Sequence, residues 1–144
     1  MKNKKGFSLV ELAIGMAVIA ILILAIVASA GIRDNARIQA AANSVQTLRS
    51  AAENFLSSGN LNYANLNIAA LQTSNLLPTA FNPNTSNPFG GSFAIGPDPA
   101  DNTHFQISLG SLSQTYANTL TGFFNNSASS SSYNASQKIW TVTF

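Results

Sequence analysis

Glu11 is the residue most in need of a chemical explanation. It lies at the edge of an apolar run, after Phe7-Ser8-Leu9-Val10 and before 21 residues, Leu12 to Ile32, with no charged side chain. A carboxylate inside a membrane helix costs about 2.5–3.5 kcal/mol at the helix centre and less near the interface. It therefore calls for a cationic partner, and within the chain as written only Lys4 or Lys5 is near. The other cluster is Asp98, Asp101 and His104, the single histidine. Two carboxylates three apart, helped by backbone carbonyls, are weak candidate calcium ligands. A solvated Pro-rich turn is the simpler reading. Many serines are present, but there is no Gly-x-Ser-x-Gly elbow, no paired catalytic carboxylates and no phosphate loop. Without cysteine there is no disulfide, thiol catalysis or thiolate metal site. The residues point to a non-enzyme with no cofactor.

Composition divides the chain into two unlike parts. Of 144 residues, 46% are apolar and only 8% charged, against about 25% charged in ordinary soluble domains. The apolar residues concentrate at the N-terminus, and the remainder is rich in Ser, Asn, Thr and Gly. The net charge of +2 arises from Lys2, Lys4 and Lys5; beyond residue 6 four basic residues face five acidic ones, a net of −1. This is a basic leader, not a nucleic-acid surface, and no nucleic-acid partner is expected. An apolar run of about 20 residues spans a bilayer core of roughly 30 Å. It exceeds the h-region of a secretory signal, for which Ala28-Ser29-Ala30 is the one weak cleavage site. Basic residues before it keep that end cytoplasmic and send the polar remainder outward.

Lys5-Gly6-Phe7-Ser8-Leu9-Val10-Glu11-Leu12 resembles the leader and cleavage motif of type IV pilins and their pseudopilin relatives. The resemblance implies that a prepilin peptidase cuts between Gly6 and Phe7 and methylates the new Phe7 amine. It also implies that Glu11 pairs with the terminal amine of a neighbouring subunit. Each charge is expensive alone in an apolar bundle and tolerable when paired. The pair would fix the axial offset between copies.

After Arg33-Asp34, apolar residues recur at Ile38, Ala41, Val45, Leu48, Ala52 and Phe55, in steps of 3 and 4. That is an amphipathic helical stripe. Arg49 and Glu53 are spaced to pair. No proline interrupts 7–58, and Gly59 is a stop, so one helix of about 52 residues and roughly 78 Å is expected. A free coiled coil is the alternative for its second half, but good heptads are few. Gly15 and Gly31 are soft points, each about 1 kcal/mol worse than Ala.

Further on, the spacing predicts a short helix within 60–81 ended by Pro78, and a turn-rich loop over 82–91. Strands are expected at Ser92–Ile95 and Phe105–Leu109. A helix is expected after Ser111 or Ser113, with Leu112, Tyr116, Leu120 and Phe123 or Phe124 on one face. Asn125–Asn134 reads as an exposed loop, and Lys138–Phe144 as a last strand. The expected fold is α+β: a long N-terminal helix, apolar in its first half and amphipathic in its second, packed on a small antiparallel sheet with short helices. Val45, Leu48, Phe55, Phe93, Ile107, Leu109, Leu120, Trp140 and Val142 form its expected core. The expected organisation is a leader, 1–6; a membrane and filament-core helix, 7–32; an amphipathic helix half, 33–58; and a globular head, 59–144.

The order from Asn87-Pro88-Phe89-Gly90-Gly91 through the Phe-x-Ile-x-Leu strand to the following helix is similar to type IVb pilins. The six-residue leader is shorter than is usual there. The cysteine common in that helix is replaced by Ala117 or a near neighbour, so the usual disulfide staple is missing. The family resemblance implies a major pilin that polymerises through its N-terminal helix. Its expected partners are copies of itself, the prepilin peptidase, the inner-membrane assembly machinery and, before assembly, lipid. Its expected location is the inner membrane as precursor and then the cell-surface pilus. The alternatives are a minor pilin or secretion pseudopilin, and an anchored adhesion domain that never polymerises.

Overall fold

The computed structural model describes residues 9–79, 81 and 87–144, apart from the side chains of residue 25 and residues 27–30. Seven elements follow in order: α1 (Leu9–Ser57), α2 (Ile68–Thr73), β1 (Phe93–Pro97), β2 (Phe105–Leu109), α3 (Gln114–Phe124), β3 (Ser130–Asn134) and β4 (Ile139–Thr143). The fold is α+β, with a long N-terminal helix, short helices and one four-stranded antiparallel sheet of order β1-β2-β4-β3. The chain divides into two compact units, Met1–Ala36 and Arg37–Phe144.

In the second unit the helical stripe is the organising feature. Ile38, Ala41, Val45, Leu48, Ala52 and Phe55 are all buried, in one cluster with the inward residues of the sheet. Register explains why the sheet presents a matching face. Phe93 lies opposite Leu109 and Ile95 opposite Ile107, while Val142 and Trp140 continue those rows on β4. Alternation sends the neighbouring positions to the other face. There Ser108 and Thr141 share a hydrogen bond of 2.9 Å between hydroxyls. All nine expected core residues are buried. Arg49 does more than pair with Glu53 at 2.7 Å; its guanidinium also stands 4.5 Å over the Phe144 ring, tying α1 to the end of the sheet.

Helix ends follow local chemistry. Gly59 takes a positive φ of 98°, and the Asn60 side chain donates to the Phe55 carbonyl at 2.9 Å, closing α1. The helix expected to reach Pro78 stops at Thr73 instead. Asn75 is left-handed (φ 53°), its N–H reaches Gln72 O and the Leu76 N–H reaches Leu71 O. This six-to-one closure ends the helix about one turn early and turns Leu77 into the core. Ser113, not Ser111, caps α3, and Phe124, not Phe123, is buried.

Asn125–Asn134 is a loop only in its first part. Ser130–Asn134 forms β3 along β4, with Tyr133 opposite Trp140. No apolar alternation signals this strand; its backbone follows the partner strand. Polar bonds hold the last hairpin in place. The Trp140 ring N–H donates to Thr121 Oγ1 at 3.0 Å, Ser131 donates to the same atom at 3.2 Å, and the Tyr133 hydroxyl donates to Leu112 O at 2.7 Å. Three bonds thus join the last hairpin to α3 and its entry.

Asn87 is the buried polar residue that the sequence does not reveal. It is 2% exposed. Its amide nitrogen donates to Gly110 O at 2.8 Å and Ser92 O at 3.3 Å, and its Oδ1 accepts from the N–H groups of Phe89 (2.9 Å) and Gly91 (3.2 Å). A Cβ on Gly91 would overlap the Gly110 carbonyl, so the Asn-Pro-Phe-Gly-Gly segment admits only glycine there. Replacing Asn87 by Ala strands several buried backbone groups, each worth about 1–3 kcal/mol. Asn87→Ala is expected to cost roughly 2–4 kcal/mol of stability. Exposed Asn118→Ala should stay within about 0.5 kcal/mol. Urea unfolding followed by the fluorescence of Trp140, the single tryptophan, checks both.

Candidate functional site

The first unit contains the candidate assembly residues. Gly6 and Phe7, the expected processing pair, lie outside the described residues. Glu11 is placed in the first turn of α1, where the aligned peptide dipoles favour an anion. The described residues that follow it present a surface that is mainly apolar. Each large apolar side chain described from Leu9 to Ile26 is at least half exposed, from 51% at Val18 to 86% at Leu9. A helix apolar all round belongs in a protein core or a membrane, not in water. Among the described residues no helix is long and apolar enough to cross a membrane. The expected membrane segment, 7–32, begins outside the described residues, and some of its side chains also lie outside them. Gly15 and Gly31 have open space where a Cβ would stand, so neither is required by packing within one copy.

The second cluster lies between β1 and β2. Asp98 Oδ1 accepts the Ala100 N–H at 3.0 Å. Asp101 Oδ1 accepts the Thr103 N–H at 2.9 Å and the Thr103 hydroxyl at 2.8 Å, while Oδ2 faces His104 Nδ1 at 3.3 Å. Backbone bonds from Asp98 N to His104 O and from His104 N to Asp101 O close the connection. Both carboxylates thus serve as turn acceptors. Among the described residues no group of three or more His, Asp or Glu side chains could hold a metal ion. The cluster organises a turn, in which the Thr103 hydroxyl also stands 3.2 Å from His104 Nδ1. The Asp101 carboxyl is held below its ordinary range, first by the Thr103 N–H, then by the Thr103 hydroxyl, with His104 adding to them.

Residues 1–30 match the prokaryotic N-terminal methylation motif. The match supports a type IV pilin-like prepilin leader, and the matched residues include Gly6, Phe7 and Glu11. No curated protein matches the chain. The type IVb likeness of the second unit gains no support from these comparisons.

Asp101 yields a pH prediction with a definite sign. A carboxyl whose pKa is lowered by folding contributes stability above its unfolded pKa and loses it as pH falls through the folded value. Acidification below the ordinary carboxylate range should therefore loosen the 98–104 turn. The effect on global stability is small, because the group is exposed. The amide resonance of Thr103 should titrate in that acid range in the native sequence and stay flat in Asp101→Asn, which keeps an acceptor oxygen without the charge.

Proposed function

We propose that this chain is the major structural subunit of a type IV pilus. The observation that supports it most is Glu11 within a helical surface apolar on all sides, inside a matched methylation motif. Such a surface has two plausible destinations, lipid and a bundle of like helices, and a pilin occupies both in turn. In this reading the prepilin peptidase removes Met1–Gly6 and methylates the Phe7 amine. The chain waits in the inner membrane with residues 7–32 in lipid. The assembly machinery then lifts it into a filament with the helices central and the second units outward.

Within that filament Glu11 of one copy meets the Phe7 amine of another. Desolvation makes either charge costly when unpaired, so only offsets that bring the two together are favourable. Apolar contact supplies the driving force and the ion pair supplies register. Asp98 and Asp101 have no part in this chemistry. The role is structural rather than enzymatic, and it needs no cofactor. A minor pilin or secretion pseudopilin shares the same N-terminal mechanism. Abundance along the shaft distinguishes them.

Two outcomes test the proposal. The intact mass of the native protein should lack Met1–Gly6 and include one added methyl group; an uncleaved leader favours an anchored domain that never polymerises. Glu11→Ala leaves the amine unpaired in an apolar bundle, at a cost of about 3–5 kcal/mol. That corresponds to more than 100-fold in subunit affinity. Sheared filaments, quantified by electron microscopy, should fall to traces, while near-ultraviolet dichroism shows the second unit still folded. Normal filament yield from this variant would remove the register argument.

A further inference from the structure

The two edge strands of the sheet differ in how they are protected. β1 ends in Gly96-Pro97, the Phe81 ring packs 5.8 Å from Phe93, and Leu66 O approaches the position a Gly96 Cβ would take. Proline and a covering segment are two of the devices that keep an edge from pairing with another chain. Among the described residues β3, the other edge, has neither. Its sequence is Ser-Ser-Ser-Tyr-Asn, and no charged residue occurs from Phe105 to Gln137. Its ladder partner is β4, and among the described residues no bond reaches its outer edge. Ser130, Ser132 and Asn134 are exposed, so the side chains flanking that edge are small and neutral.

We propose that the outer edge of β3 pairs with β3 of a second copy, antiparallel and centred on Ser132, to form one continuous eight-stranded sheet. Self-complementarity selects a second copy over an unrelated strand. About a dyad at Ser132, Ser130 faces Asn134 of the other copy and Ser131 faces its Tyr133, so every pair is neutral. The dyad is perpendicular to the sheet, so both buried faces stay on one side. One five-residue strand pair buries far less than the roughly 1,200 Å² of a stable interface. Single copies pair weakly, and arrays of copies pair strongly through multivalency. The inference rests on the filament reading for that array, which makes it a side-by-side contact between filaments, but not for the pairing itself.

The cysteine-free chain permits a clean test. Antiparallel partners lie about 4.5–5.5 Å apart at Cα, within the roughly 4.4–6.8 Å of a disulfide. Ser132→Cys should therefore form a disulfide-linked dimer on mild oxidation, as the main species in filaments and as a trapped product in detergent. Ser130→Cys places its two thiols about four residues apart along the strands, roughly 14 Å, and should stay monomeric. Asn118→Cys, exposed on α3, should do the same. In electron micrographs, Ser132→Lys puts like charges face to face and should leave filaments of normal number dispersed singly, with Asn118→Lys filaments as associated as the native ones. A monomeric Ser132→Cys, or equal linkage in all three cysteine variants, overturns the pairing; linkage at Ser130 instead overturns the register. If native protein makes no filaments yet Ser132→Cys links, the pairing stands and the filament reading falls. Filaments without linkage give the reverse.

Discussion

The first half of α1 has an apolar surface that its own chain leaves uncovered. From Leu9 to Ile26 each large apolar side chain described is at least half exposed, and a water-facing helix of that kind would be strongly unfavourable. One acidic residue, Glu11, interrupts it. Elsewhere in the chain charge is sparse and local. Arg49 and Glu53 pair within one helix face, and Asp101 is engaged by Thr103 and His104 within one turn. Glu11 is set in a mainly apolar stretch of helix, and in the proposed filament its use is to fix the offset between copies.

The second unit meets a different constraint. A small disulfide-free domain is marginal on its own. The stripe from Ile38 to Phe55 answers much of this, because the amphipathic stretch of α1 within this unit supplies one side of its core. Directional bonds answer the rest. Thr121 accepts from both Trp140 and Ser131, and the Tyr133 hydroxyl reaches Leu112 O. These tie the final hairpin to α3 at the level where Ala117 is buried. The link between hairpin and helix is thus a set of weak bonds around a small side chain. Asn87 plays the same part at the other side of the sheet, four hydrogen bonds from one amide holding a turn in which Gly91 approaches the Gly110 carbonyl too closely for any Cβ.

What the sequence disclosed, and what it concealed, follows from which forces leave a periodic trace. The stripe on α1 repeats at helical spacing through six positions, and each of the six is buried. Phe105–Leu109 alternates because one face meets α1 and the other meets solvent, and its bounds agree with the structure. Glu11 was conspicuous through contrast with its surroundings. By comparison, β3 is held by backbone bonds to β4, and backbone bonds leave no residue pattern. Its serines therefore read as loop. Asn87 was hidden because a buried amide looks like any other turn residue until its four partners are known. The early end of α2 was hidden because Leu76 and Leu77 continue the apolar count, although a left-handed Asn75 has already ended the helix.

The two faces of the same economy in charge bear on assembly. A chain with few charges gains little from electrostatic steering and has few means to refuse a wrong neighbour. Specificity must then come from a small number of costly features. Along the helix, in the proposed filament, the costly feature is a carboxylate that would tolerate few offsets. Around the sheet it is hydrogen-bond satisfaction: β1 is closed by Gly96-Pro97 and the Phe81 ring, whereas β3 keeps an open row of donors and acceptors. A protein meant to remain solitary would be expected to place a lysine or proline on that row. Serine does neither; it permits close approach, adds no charge and leaves the backbone free to bond. The composition of β3 is thus better suited to contact between copies than to keeping them apart, and the neutral stretch from Phe105 to Gln137 removes the repulsion that would otherwise oppose it.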